Sequence, residues 1–257
     1  MPKIFFSNSS TEYWRGDASL IHTDAEGTRD VPPSASSRLY HFAGSQHSAG
    51  TLPLTDTNPV DGARGQQMLN SVDYNPLLRN ALARTDRWVS GEQDPPPSRY
   101  PRLADGTAVT PEQPREVFAA IPEVGFPTDP PQVVRLDFGA DAASGVATTL
   151  PPVEGKPYPH FVPAVDPDGN EVSGIRLPDL TVPLATYTGW NLRHPQMGAP
   201  ETLMSLMGST IPFSASREER ATKGDPVGRA RNVTQAGQAI SNRFGKRFSD
   251  LSTKATS

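Results

Sequence analysis

Two short segments carry the residue types that proton transfer needs. In Tyr40-His41-Phe42-Ala43-Gly44-Ser45-Gln46-His47 an apolar run reaches a glycine and releases a histidine into a polar loop. An imidazole titrates near neutral pH and serves as a base only where the chain projects it toward a partner. His47 has that placement, whereas His41 lies inside the run and reads as a packing residue. The second segment, Asn8-Ser9-Ser10-Thr11-Glu12-Tyr13-Trp14, comes after an earlier apolar run and offers Glu12. A carboxylate there would orient an imidazole and balance its charge, the part an acid plays in a serine triad. Asp17 and Asp24 compete for this role. Glu12 also has a purely structural alternative, as a helix-capping carboxylate with Ser10 or Thr11 as the cap.

The elements that must position these groups are read from patterning. Residues 3–8 and 38–43 are apolar runs ended by polar residues or glycine, and are expected to be strands buried on both faces. Residues 13–21 between them are expected to form a short helix, with a turn at 24–27. Strand, helix, strand over this length is a βαβ unit and implies a parallel sheet. Open sheets of this kind place active groups beyond the carboxyl ends of their strands. Glu12 and His47, 35 positions apart, both fall there.

Farther along, residues 51–71 are polar and irregular. A helix is then expected to open at Asp73, or at Asn75 with Pro76 in its first turn, and to close at Gly91. Tyr74, Leu77, Leu78, Ala81, Leu82, Trp88 and Val89 fall on one helical face. The prolines at 95–97 form a stiff spacer. Beyond them short strands and long loops are expected: a hairpin of 161–165 and 171–177 around 166–170, a strand at 181–186, and a short helix at 201–207. After Gly224 the chain turns basic. Ala236, Ile240, Phe244 and Phe248 recur there every fourth residue, the pattern of a weak amphipathic helix. The organisation read from these shifts is 1–93 as the αβ core, 94–226 as a loop-rich extension and 227–257 as a divergent basic tail.

Composition narrows the function classes. Hydrophobic residues are 35% of the chain, against ~45–50% in typical domains, and the 257 residues include 28 prolines and 21 glycines. Long uninterrupted elements are therefore few. A net charge of −4 argues against a nucleic-acid footprint. The absence of cysteine removes disulfides, thiolate metal sites and cysteine nucleophiles. No apolar run is long enough for a membrane span, and the first residues lack the pattern of a signal peptide. Asp166, Asp168 and Asn170 imitate the start of a calcium loop, but Glu171 stands at the glycine position and Leu177 at the bidentate-glutamate position, so a turn is expected. His22, His160 and His194 lack metal-ligand spacing. No cofactor or metal is implied.

Acid before histidine is the order of the last two members of the triad in α/β-hydrolases, whose nucleophile comes first on a Gly-x-Ser-x-Gly elbow. No such pattern occurs in this chain, and Gly44-Ser45-Gln46 and Gly208-Ser209-Thr210 lack its second glycine. The sequence resembles the C-terminal portion of a bacterial family of alpha/beta hydrolase domain-containing proteins. The resemblance rests on Asn8 to Trp14, Ala18-Ser-Leu-Ile-His-Thr-Asp24, Tyr40 to His47, Val72-Asp-Tyr-Asn-Pro-Leu-Leu-Arg79, Pro97-Ser-Arg-Tyr-Pro-Arg-Leu-Ala-Asp-Gly106 and Ala185-Thr-Tyr-Thr-Gly-Trp-Asn-Leu-Arg193. It covers residues 2–226 and stops where the tail begins. It implies an α/β fold: the last strands of a parallel sheet with flanking helices, and after them the loop-rich extension. It also implies His47 as the triad base, an upstream serine, a small ester-like substrate and hydrolysis of carboxylic esters. The expected function is thus a partial serine hydrolase, inactive alone, from a gene broken at both ends or from a natural short paralogue. A non-catalytic binding or accessory module derived from a hydrolase is the alternative.

Overall fold

The computed structural model describes residues 1–225. The basic tail and its repeated apolar positions lie outside them. Strand β1 (Ile4–Ser9) runs directly into helix α1 (Ser10–Trp14), and a single 3-10 turn comes next at Ala18–Ile21. The one helix expected over 13–21 is therefore two pieces. Gly16 separates them, at φ +88, and a Cβ there would lie 2.9 Å from the Pro131 carbonyl oxygen.

Strand β2 (Ser37–Phe42) pairs with β1 in parallel, with Ser9 beside Phe42 at the carboxyl end. This parallel sheet has two strands. Its burial departs from expectation: β2 is almost wholly buried, but Ile4 and Phe6 of β1 are 41% and 38% exposed. The other edge of β2 is partly covered. Arg99 bonds to Leu39 and His41, and Ile175 bonds to His41 and Ala43, all through main-chain groups at 2.7–3.1 Å.

Strand β3 (Met68–Leu69) precedes the long helix α2 (Asn75–Val89). Pro76 lies in the first turn of α2, and Asp73 Oδ1 accepts from Asn75 N at 3.0 Å. The apolar stripe is narrower than expected. Tyr74 and Trp88 are buried and Leu77 packs on the sheet, while Leu78, Leu82 and Val89 face outward. Tyr74, Leu77 and Trp88, spaced by three and fourteen, select the inner line, and the other three residues sit about a quarter of a turn away.

The remaining elements are short: β4 (Ala108–Val109), α3 (Arg115–Ala119), β5 (Val134–Asp137), β6 (Val153–Pro157), β7 (Val162–Pro163), α4 (Pro178–Thr181), β8 (Ala185–Thr188), β9 (Ser209–Pro212) and α5 (Arg217–Lys223). They make a three-stranded antiparallel sheet, β3-β9-β8, and two antiparallel pairs, β4-β7 and β5-β6. The turn at 166–170 forms: Asp166 N donates to Asn170 O at 2.8 Å, and Asp166 Oδ1 accepts from Asp168 N and Asn170 N. The strand expected at 181–186 begins later, because residues 178–181 are helical and Pro183 has no N–H to give a ladder. Residues 201–207 are not a helix. Their main chain is drawn into pairing with the segment before it, through the Leu192–Leu203 bridge and Met204 N donating to Asn191 O at 2.7 Å.

The largest apolar cluster joins Trp14, at the end of α1, to Phe118, Ile121, Val162, Trp190, Leu192 and Ile211. Four aromatic rings meet there edge-on or tilted, with centroids 5.1–5.8 Å apart. Residues from the first 93 positions and from the stretch beyond them thus share one core, and that core fixes α1.

Candidate active site

The acid is positioned by its own helix. Ser9 is the N-cap of α1, in place of the Ser10 or Thr11 expected, and Glu12 completes a capping box. Glu12 Oε2 accepts from Ser9 N at 2.7 Å and from Ser9 Oγ at 2.5 Å. This satisfies main-chain donors that a helix start leaves free. The other oxygen is left to point across the sheet. There, Glu12 Oε1 lies 2.5 Å from His47 Nδ1. The capping role and the histidine-facing role, which the sequence leaves as alternatives, are both filled by one carboxylate.

His47 is held by the chain around it. Gly44, at φ +62, turns the strand into the loop. Ser45 Oγ donates back to Phe42 O at 2.6 Å, Asn70 Nδ2 donates to Gly44 O at 2.8 Å, and Gly208 N donates to the buried Gln46 Oε1 at 3.1 Å. The Tyr74 hydroxyl donates to the His47 carbonyl. The backbone is therefore anchored on both sides of the residue while the ring projects, with its side chain 51% exposed against 17% for Glu12. Among the described residues Nδ1 is the ring nitrogen that is bonded, and the ring itself is half exposed. A ring whose Nδ1–H is held by a carboxylate presents Nε2 as the basic atom.

The two competing acids stand elsewhere. Asp24 closes its own turn, accepting from Thr28 N and Thr28 Oγ1 at 2.7 Å and meeting Arg29 at 3.5 Å. These partners, the Thr28 hydroxyl first, hold its carboxyl below the usual range. Asp17 precedes the 3-10 turn and makes no side-chain cap. Neither bonds to His47.

Other histidines serve packing. His41 is fully buried, its Nε2 2.8 Å from Glu171 Oε2. His22 is buried against the Tyr13 hydroxyl, 3.0 Å from Nε2, and burial pushes its pKa down to about 4. His160 Nε2 lies 2.6 Å from the Tyr13 carbonyl oxygen. Serine hydroxyls near the strand tips are equally committed. Ser10 is fully buried and donates to Glu171, and Ser45 is fully buried and donates to Phe42 O. Among the described residues there is no group of three or more His, Asp or Glu arranged to hold a metal, and no helix is long and apolar enough to cross a membrane.

Sequence reasoning misses Glu171, which figures there only as a misfit in a calcium loop. Its place at the start of the strand expected after the 166–170 turn is the available signal. Ser9 and Tyr74 also take parts that patterning does not assign them, since the one reads as a strand end and the other as a core face.

Comparison with known proteins gives a model of the alpha/beta hydrolase domain family matching residues 2–235, nine positions past the expected end of the resemblance at 226. No curated protein and no solved structure matches. Strand tip, acid, strand tip and histidine lie wholly inside the matched span, and the chain belongs to the alpha/beta hydrolase domain family.

Proposed function

We propose that this chain carries the general base and the orienting acid of a serine hydrolase acting on small carboxylic esters. In this reading His47 Nε2 takes the proton of an attacking serine hydroxyl and returns it to the leaving group. Glu12 holds Nδ1–H and stabilises the imidazolium that forms. The observation that carries the reading is the 2.5 Å approach of Glu12 Oε1 to His47 Nδ1 on a half-exposed ring, which leaves Nε2 free of that contact. Residues 1–93 carry the pair, and the described part of the stretch beyond them buttresses it.

The nucleophile is the missing member. The sequence contains no Gly-x-Ser-x-Gly elbow, and Ser9, Ser10 and Ser45, the serines at the strand tips, are buried with their hydroxyls donated to Glu12, Glu171 and the Phe42 carbonyl. The proposal therefore places the attacking serine, and the oxyanion donors that accompany such an elbow, outside these 257 residues.

The test is hydrolysis of p-nitrophenyl esters. The isolated chain should give no turnover above buffer, and turnover abolished by His47→Ala would overturn the assignment of the nucleophile elsewhere. The DNA immediately before Met1 supplies the second arm. If it encodes a Gly-x-Ser-x-Gly segment, joining that segment to this chain should yield turnover that His47→Ala and Glu12→Ala both remove. Turnover indifferent to His47 would reject the base, and an intergenic region with its own ribosome-binding site would favour an accessory module.

A further inference from the structure

Behind the exposed pair lies a second, buried carboxylate whose contacts reach both of its arms. Glu171 stands just after the turn at 166–170 and is 3% exposed. One of its oxygens, Oε2, accepts three hydrogen bonds: from Ser10 Oγ at 2.8 Å, from His41 Nε2 at 2.8 Å and from Gly44 N at 2.7 Å. His41 Nδ1 has no partner among the described residues, so Nε2 carries the ring's N–H and donates.

The donors are distributed in a way that matters for the site. Ser10 sits two residues before Glu12 in α1, and Gly44 sits three residues before His47 in the loop. Ser10 is tied to that loop a second time, its N–H donating to Ser45 O at 3.1 Å and its Oγ accepting from Ser45 N at 3.2 Å. His41 supplies the strand between them. Its ring is fixed from behind by Gly174, where a Cβ would fall 2.6 Å from His41 Cδ2. A single buried oxygen thus joins the start of the acid's helix to the start of the histidine's loop. Glu171 and His41 are both sealed from solvent, so neither can meet a substrate.

We propose that Glu171 is a positioning residue, contributed by the stretch beyond residue 94, that sets the separation between Glu12 and His47. The inference rests on the reading of those two as a proton-handling pair. Catalytic groups need support that holds them within a fraction of an ångström, and hydrogen bonds from outside the reacting shell are the usual means.

The test uses the full chain and the proton on His47 Nδ1, which in so short a contact with a carboxylate should resonate far downfield in the NMR spectrum. That signal should be present in the wild type and absent in Glu12→Gln. In Glu171→Gln, close to isosteric, it should shift upfield and exchange faster with water, and in Glu171→Ala it should be lost, with amide shifts distant from the site unchanged. A signal unaltered in both Glu171 variants would overturn the inference while leaving the pair intact. A wild type without the signal would overturn the pair, and the inference with it. If Glu171→Ala does not fold, Ser10→Ala carries the test, because it removes one donor and the Ser45 N–H acceptor together. It should reproduce the faster exchange, and an unchanged rate would count against the proposal.

Discussion

Glu12 divides its carboxylate between Ser9 and His47: Oε2 receives the Ser9 N–H and Oγ–H, and Oε1 meets His47 Nδ1 at 2.5 Å. The cap fixes the acid's rotamer independently of the histidine. The carboxylate is therefore set before the ring meets it, which lowers the cost of ordering the pair. Helix start and site share the same atoms.

Removing the cap should accordingly cost stability. Ser9→Ala deletes the hydroxyl that accepts from Thr11 N at 3.3 Å and donates to Glu12. A loss of about 1 kcal/mol is expected, seen as a lower urea midpoint at unchanged slope. An unmoved midpoint would show that α1 is held by the Trp14 core alone.

Acid should destabilise the fold through its buried histidines. Burial, the largest influence, lowers His22 from 6.5 to about 4, against the opposing pull of Asp30, and burial lowers His160 in the same direction. Above pH 6.5 His22 is neutral in both the folded and unfolded chain and contributes no slope. Between 6.5 and about 4 the unfolded chain binds a proton that the folded chain refuses, so stability falls with pH, and below about 4 the loss levels off. For His22 the full span corresponds to at most about 3 kcal/mol. Urea unfolding at pH 7.5, 6 and 4.5 should show the decline, and His22→Gln should flatten it. Equal pH slopes in the two proteins would reject His22 as its source.

Gly189 is where the chain after β8 crosses α1. A Cβ there would lie 2.3 Å from the Ser10 carbonyl carbon and 2.6 Å from Thr11 N, both main-chain atoms that cannot rotate away. Thr11 Oγ1 also donates to Gly189 O at 2.7 Å. Gly189→Ala should lower stability by ~1–3 kcal/mol, as overpacking does, and should displace Glu12 with its helix. The thermal midpoint reads the first effect and the downfield His47 proton the second. A variant that melts like the wild type would refute the close approach.

The strand tips are legible in the sequence because the clues there are local. An apolar run stopped at Gly44 marks β2, and Glu12 reads as a capping carboxylate, although its partner is Ser9 and not the Ser10 or Thr11 expected. Their proximity also comes from local rules, since parallel pairing of neighbouring strands puts Ser9 beside Phe42. The illegible part is non-local. Glu171 reaches Ser10 across 161 positions and Gly44 across 127, and no periodicity encodes such a contact. The helix expected at 201–207 fails for the same reason, its main chain being taken by the segment at 191–192. The outward turn of Leu78, Leu82 and Val89 shows the opposite error. Helical spacing defines a face, but the width of that face actually covered depends on the neighbour, here a sheet of two strands.

That narrow sheet leads to the last expectation. Among the described residues no strand pairs with the outer edge of β1, and its Ile4 and Phe6 are partly exposed. An exposed edge flanked by apolar side chains is a template for pairing with another chain. The isolated protein should therefore self-associate as its concentration rises, in a manner that depends on β1. Phe6→Lys places a charge on that face without touching the packed side, where Phe5 meets Tyr40 and Trp88 at 5.4 and 5.6 Å. Sedimentation velocity over a hundredfold concentration range should show the wild type moving to larger species and Phe6→Lys remaining monomeric, with the two melting alike when dilute. Equal association by both proteins would place the sticky surface elsewhere, and the exposed line of Leu78, Leu82 and Val89 on α2 would be the next to mutate.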